Sequence, residues 1–187
     1  METLQELEQK CAACQACALG ATRTKLVFGT GNPNADLMFV GEAPGEQEDL
    51  SGIPFVGRAG QLLDKFLYAV DIPREDVYIA NILKCRPPKN RDPLPEEEDA
   101  CISHLREQVR LIRPKIIVCL GRISAMRLIK EDFKITREHG TYFQKGSYLM
   151  TAVYHPAALL RDPRKKEEML EDMKKIKEKL DELRVSN

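Results

Sequence analysis

Leu37-Met38-Phe39-Val40-Gly41-Glu42-Ala43-Pro44-Gly45 joins a short, wholly apolar run directly to a turn rich in glycine and proline. A run of this length with no polar alternation is the pattern of a strand buried on both faces. Val77 to Ala80, Ile116 to Leu120 and Leu149 to Tyr154 repeat it. Between them lie stretches of helical spacing: Gln61 to Val70, where Leu62, Leu63, Phe66, Leu67 and Val70 recur at three and four, then Pro95 to Ile112 and Ser124 to Ile129. Strands alternating with helices predict an α/β fold, a central four-stranded parallel sheet flanked by helices. The opening METLQELEQK reads as a helix, and Met169, Met173, Ile176, Leu180 and Leu183 stripe one face of a closing helix whose other face is Lys and Glu.

In an open sheet of this kind ligands collect outside the carboxyl ends of the strands. Here the first strand runs into Gly41 to Gly45, the second ends at Asn81, the third at Gly121, and the fourth runs into His155-Pro156. Polar groups from separate segments are thus expected on one rim. The stretches Glu42 to Arg58 and Arg86 to Pro95 read as loops, and loops of that length are usually functional.

The 187 residues fit one domain spanning the chain. Lys plus Arg and Asp plus Glu number 29 each, so contact with a polyanion has to come from a local patch. The N-terminus has no apolar signal core, and no apolar run reaches the roughly 18 residues of a membrane span, so a cytoplasmic monomer is expected.

Six cysteines in such a chain point to thiolates rather than disulfides. Cys14 and Cys17 are a C-x-x-C pair, and Cys85 and Cys101 follow far along the chain. Four thiolates suit either a structural Zn²⁺ or an iron-sulfur cluster, and spacing does not choose between them. Cys11 forms an alternative pair with Cys14, which leaves the ligating pair open, whereas Cys119 lies inside an apolar strand and reads as a buried small hydrophobe. Cys85 and Cys101 bracket the basic Arg86-Pro87-Pro88-Lys89-Asn90-Arg91, which a shared metal site would pin for phosphate contact.

GEAPGEQED at Gly41 to Asp49, PFVGRAGQLL at Pro54 to Leu63, NILKCRPPKNRDP at Asn81 to Pro93 and YHPAALLR at Tyr154 to Arg161 together resemble the family 4, iron-sulfur, uracil-DNA glycosylases, from about the first cysteine to Arg161. The resemblance implies a uracil-DNA glycosylase-like α/β domain carrying a [4Fe-4S] cluster on Cys14, Cys17, Cys85 and Cys101, with Cys11 an extra. The cluster is implied to be structural and remote from the base pocket. It implies a monofunctional glycosylase that flips uracil out of single- or double-stranded DNA and hydrolyses its N-glycosidic bond.

By the same resemblance, Gly41, Glu42 and Ala43 line the base, Phe55 stacks on it, Asn81 reads its edge and His155 donates a hydrogen bond to O2 as charge accumulates there. Asn81 accepts from uracil N3–H and donates to O4, a pattern cytosine reverses. Family 1 relatives have an aspartate where this chain has Ala43, so Glu42 becomes the candidate for positioning water or stabilising the sugar cation. Glu48 is a candidate screen against the thymine methyl, or a solvated loop charge. Leu159 and Leu160 resemble an apolar wedge, and Lys84, Arg86, Lys89, Arg91 and Arg161 supply DNA contacts, with Arg164, Lys165 and Lys166 beside them. The competing readings are a hydrolase of free nucleotides using Gly41 to Gly45 as a phosphate cradle, a metal-stabilised nucleic-acid-binding module, and a relative with a broader base range.

Overall fold

The computed structural model describes residues 1–186. Along the chain run α1 (Leu4–Ala12), α2 (Leu19–Thr22), β1 (Thr30–Gly31), β2 (Leu37–Gly41), α3 (Glu46–Ser51), α4 (Arg58–Ala69), β3 (Tyr78–Asn81), α5 (Pro95–Ile112) and β4 (Ile116–Leu120). Then follow α6 (Arg122–Leu128), α7 (Ile135–Glu138), β5 (Phe143–Lys145), β6 (Tyr148–Val153), α8 (Pro156–Arg161) and α9 (Lys166–Val185). Among the described residues no helix is long and apolar enough to cross a membrane.

The sheet has six strands in the order β1-β3-β2-β4-β6-β5, not four. The four apolar runs are its parallel centre, while β1 pairs antiparallel with β3 and β5 antiparallel with β6 at the two edges. Both additions lack the apolar signal, since β1 is two residues long and β5 is Phe-Gln-Lys with partial exposure. Gly146, at φ +59°, makes the tight return from β5 to β6.

Each central strand buries both faces, so alternate residues feed two cores. Leu37 and Phe39 join Leu63, Phe66 and Leu67 of α4 and Met169, Met173, Ile176 and Leu180 of α9. Met38 and Val40 join Ile102 and Leu105 of α5, Ala125 of α6 and Cys119, which is a buried hydrophobe as its sequence context suggests. The chain leaves β2 for β3 on one side and passes to β4 on the other, which opens a crevice at the carboxyl ends where the order reverses.

The segment Glu42 to Arg58 is not simply a loop, because α3 occupies part of it. Glu46, Glu48 and Asp49 in its first turn suit the positive end of the helix dipole, and Gly52, at φ +78°, stops it.

Candidate active site

A cleft of about 430 Å³ lies at that crevice, and Glu42, Ala43, Phe55, Asn81, His155 and Arg161 are among the residues lining it. Parallel register sets Gly41 beside Asn81 at the ends of β2 and β3. Gly41 lies beneath the lining: a Cβ added there would collide with Asn81 Oδ1 and come within 2.7 Å of the Phe55 ring. Only a glycine leaves this corner open. Asn81 is 2% exposed, and its Oδ1 is buried without a hydrogen-bond partner among the described residues. A buried acceptor left without a donor, on a residue that lines the cleft, is complementary to a ligand carrying an N–H.

Phe55 stands in the left-handed region at φ 54°, strained for a residue with a Cβ. Two contacts hold it. Arg74 donates from Nη1 to the Phe55 carbonyl at 3.0 Å and from Nη2 to the Pro54 carbonyl at 2.9 Å. Gly60 of α4 packs so closely on the Phe55 backbone that a Cβ would overlap its carbonyl oxygen. The ring faces His155, with centroids 5.8 Å apart. Arg74 carries no motif in the sequence, and its role emerges only when the chain folds.

Glu48 lines the cleft and is not a solvated loop charge. Its Oε1 accepts from the Gly45 N–H at 3.0 Å, and its Oε2 accepts from Val56 at 3.2 Å and Gly57 at 2.8 Å. It ties the two ends of the loop that carries Phe55. Glu48→Ala is expected to cost about 1 to 3 kcal/mol of stability, since three N–H groups lose a charged acceptor, and to weaken DNA binding more than the chemical step. Chemical denaturation and single-turnover kinetics on the same sample check both.

His155 is the N-cap of α8, and its Nδ1 accepts from the Ala157 N–H at 3.0 Å. A ring nitrogen that accepts carries no proton, so in the neutral ring the proton sits on Nε2. Burial, with a smaller push from Arg161, lowers the imidazole pKa from 6.5 to about 4. His155 is therefore a neutral Nε2–H donor at physiological pH. Glu42 shifts the other way: burial, then the charge of Asp92, raises its carboxyl above the usual 4.5.

The basic residues divide differently from the sequence reading. Lys84 is only 1% exposed and is removed from the DNA-contact set, because its ammonium is spent on internal acceptors. Arg91 lies at the cleft but gives both terminal nitrogens to Glu97, each at 2.8 Å, which pins the loop from within. Lys89 and Arg161 are exposed, and Arg86 is partly so while donating to Asn90 Oδ1 at 2.7 Å. In the cluster that follows, Arg164 pairs with Asp162 and Lys165 lies over the Tyr154 ring at 4.8 Å, leaving Lys166 exposed. The wedge reduces to one residue: Leu159 is fully buried in the core, whereas Leu160 is 37% exposed, because adjacent residues on a helix face different ways.

Cys14, Cys17, Cys85 and Cys101 line a second cavity, with Arg23, Lys84 and His104 around it. Arg23 Nη1 donates to Cys85 Sγ at 3.1 Å, His104 Nε2 lies 3.5 Å from Cys14 Sγ, and the Lys84 N–H donates to Cys101 Sγ at 3.4 Å. Donors aimed at sulfur in a shielded cavity suit thiolates holding a positive group. Cys11 also borders the cavity, yet it packs with Leu7 and Phe28, whereas Cys17, Cys85 and Cys101 share a different cluster with Leu19 and Leu83. Among the described residues no three of His, Cys, Asp and Glu converge on a single ion position, and the thiols border a space instead. The cavity lies behind the wall of the cleft: Asn81 lines the cleft, Leu83 and Lys84 line the cavity, and Ala43 of the cleft packs on the apolar cluster of Leu19, Leu83 and Cys85.

The α/β sheet with its cleft at the switch point belongs to a known class of protein: the family model for the uracil DNA glycosylase superfamily matches residues 28–180. The chain is 46% identical to a type-4 uracil-DNA glycosylase of Archaeoglobus fulgidus, over 95% of this chain and 94% of that protein. It is 41% identical to another of Thermotoga maritima, covering 94% of each. A type-5 uracil-DNA glycosylase of Pyrobaculum aerophilum is 34% identical over 69% of this chain and 64% of that protein. The chain belongs to the type-4 uracil-DNA glycosylases.

Proposed function

We propose that the protein removes uracil from DNA by extruding the nucleotide into the cleft and hydrolysing the bond between C1′ and N1, releasing free uracil and leaving an abasic site. The observation that carries this reading is the partnerless, buried Oδ1 of Asn81 beside Gly41 and Phe55. It accepts from uracil N3–H while the amide donates to O4, and Phe55 stacks on the ring, a contact worth about 1 to 3 kcal/mol. Gly41, Glu42 and Ala43 bring backbone close to the base edge.

As the bond to N1 breaks, negative charge accumulates on uracil O2 and positive charge on the sugar. The Nε2–H of His155 meets the first. The Glu42 carboxylate holds the water that attacks C1′ and accepts its proton, since Ala43 has no group to do so. Arg86, Lys89 and Arg161 engage phosphates of single- or double-stranded DNA, and Leu160 enters the space of the extruded base.

Cys14, Cys17, Cys85 and Cys101 would hold a [4Fe-4S] cluster, which would tie α1 and the Arg86 to Pro95 loop to the domain. None of the six cysteines is paired in a disulfide, which fits work in a reducing cytoplasm. The whole chain acts as one domain and as a monomer.

Matched oligonucleotides carrying uracil, thymine or cytosine at one position test the reading: cleavage at abasic sites after alkali is expected for uracil alone. No product with the iron-loaded protein overturns it. Asn81→Asp is expected to admit cytosine, because a protonated acid donates to N3 and accepts from the N4 amino group; the assay is cytosine release, and unchanged substrate choice removes Asn81 as the reader.

A further inference from the structure

Asn81-Ile82-Leu83-Lys84 runs along the wall between the cleft and the cysteine cavity. On the cleft side the Ile82 N–H donates to the Gly41 carbonyl and the Leu83 N–H to the Glu42 carbonyl, each at 3.0 Å. On the other side the Lys84 N–H donates to Cys101 Sγ at 3.4 Å, and its carbonyl accepts from the Val27 N–H at 2.8 Å. The Lys84 side chain folds back along this segment. Its Nζ donates to the Asn81 carbonyl at 2.8 Å and to Gln108 Oε1 at 2.6 Å, and lies 5.8 Å from the centre of the Phe28 ring.

Gln108 is held in turn. It is fully buried, and its Nε2 donates to the Phe28 carbonyl at 2.8 Å and to the Tyr78 hydroxyl at 3.2 Å. Burying an ammonium is costly unless acceptors take its protons, and an apolar side chain would fill the same space without that cost. What an apolar side chain would not do is hold the Asn81 carbonyl, which stands at the last residue of β3. The Ile82 N–H holds one end of the peptide plane after Asn81 and Lys84 holds the other, and together they set the direction in which the Asn81 amide meets the cleft.

We infer that Lys84 is a positioning residue for the base-reading amide of Asn81, acting from inside the wall that the cleft shares with the cysteine cavity. The inference rests on the role of Asn81 given above. It assigns to Lys84 a part in uracil recognition without contact to substrate, in place of the phosphate contact its sequence neighbourhood suggests.

A double-mutant cycle on the iron-loaded protein tests it. Lys84→Met, Asn81→Ala and the double variant are compared by single-turnover uracil release, half-saturating DNA concentration, melting temperature and iron per chain. Lys84→Met is expected to slow uracil release by about tenfold or more at unchanged iron content, since small misplacements of a reacting base are costly. Added to Asn81→Ala, it is expected to change the rate by less than about twofold, because nothing remains for it to position. A loss that multiplies undiminished on the Asn81→Ala background, or a Lys84→Met rate equal to wild type, overturns the inference. If Lys84→Met loses iron or fails to fold, Gln108→Met enters the same cycle; it removes the partner that orients Nζ, and the same two outcomes decide. Should wild type and Asn81→Ala release uracil equally, the reading of Asn81 fails, which is a separate result from an additive cycle.

Discussion

Glu42→Gln is expected to lower single-turnover uracil release by about 10²- to 10³-fold while leaving affinity for uracil-containing DNA nearly unchanged. Gln matches Glu in size and keeps a hydrogen-bonding end, so the cleft retains its shape; what is lost is the negative charge and the capacity to accept a proton. The raised carboxyl pKa adds two further expectations. Activity needs the carboxylate, so the wild-type rate should fall as pH drops through a value above 4.5, and that limb should be absent from the residual rate of the variant. For stability the sign is opposite. Between the unfolded pKa and the raised folded one the native state binds more protons, so stability declines as pH rises through that window, and at neutral pH the charge is a liability. The variant should melt at the same temperature as wild type or higher. Near-normal single-turnover cleavage would remove Glu42 from the chemistry.

His155→Ala should cost about 10²- to 10³-fold in the same assay, the usual loss for one donor aimed at a developing oxyanion. Its pH signature separates the two residues. With a folded pKa near 4, His155 stays neutral through the range in which an ordinary imidazole titrates, so no step near 6.5 is expected in the rate profile. Stability behaves otherwise: the unfolded state takes up the proton first, so this contribution is complete above 6.5 and is lost as pH falls toward 4. The alanine variant should lose that part of the acid sensitivity. It also loses the cap of α8, worth about 1 kcal/mol, so melting temperatures accompany the rates. A rate step at pH 6 to 7 in the wild type would count against the neutral-donor assignment.

The four central strands were legible because burial on both faces leaves no polar alternation to confuse the pattern. The edge strands were not, since two residues at Thr30–Gly31 and a polar Phe-Gln-Lys carry no periodic signal. The residues brought to one rim were legible for a related reason: Gly41, Asn81 and His155 each follow an apolar run, and a parallel sheet puts such ends together. Lys84 was misread because it sits in a basic stretch, and its burial depends on Gln108, 24 positions away. Glu48 and Arg74 were illegible in kind, as both act on backbone groups that the sequence does not label. Leu159 and Leu160 differ by one helical step, and the family pattern names the pair without giving the phase.

The backbone of Phe55 has a consequence for where inactivating lesions arise. An unfavourable dihedral survives only while something outside holds it, and here, beside the packing of Gly60, the holder is an arginine 19 positions along and outside the cleft lining. In a screen for inactive variants that still fold, Arg74 should be recovered beside the pocket residues, and lysine there should not rescue, because one ammonium does not span two adjacent carbonyls as a planar fork does. A map of mutational tolerance over this protein would therefore show an intolerant spot on its outer surface.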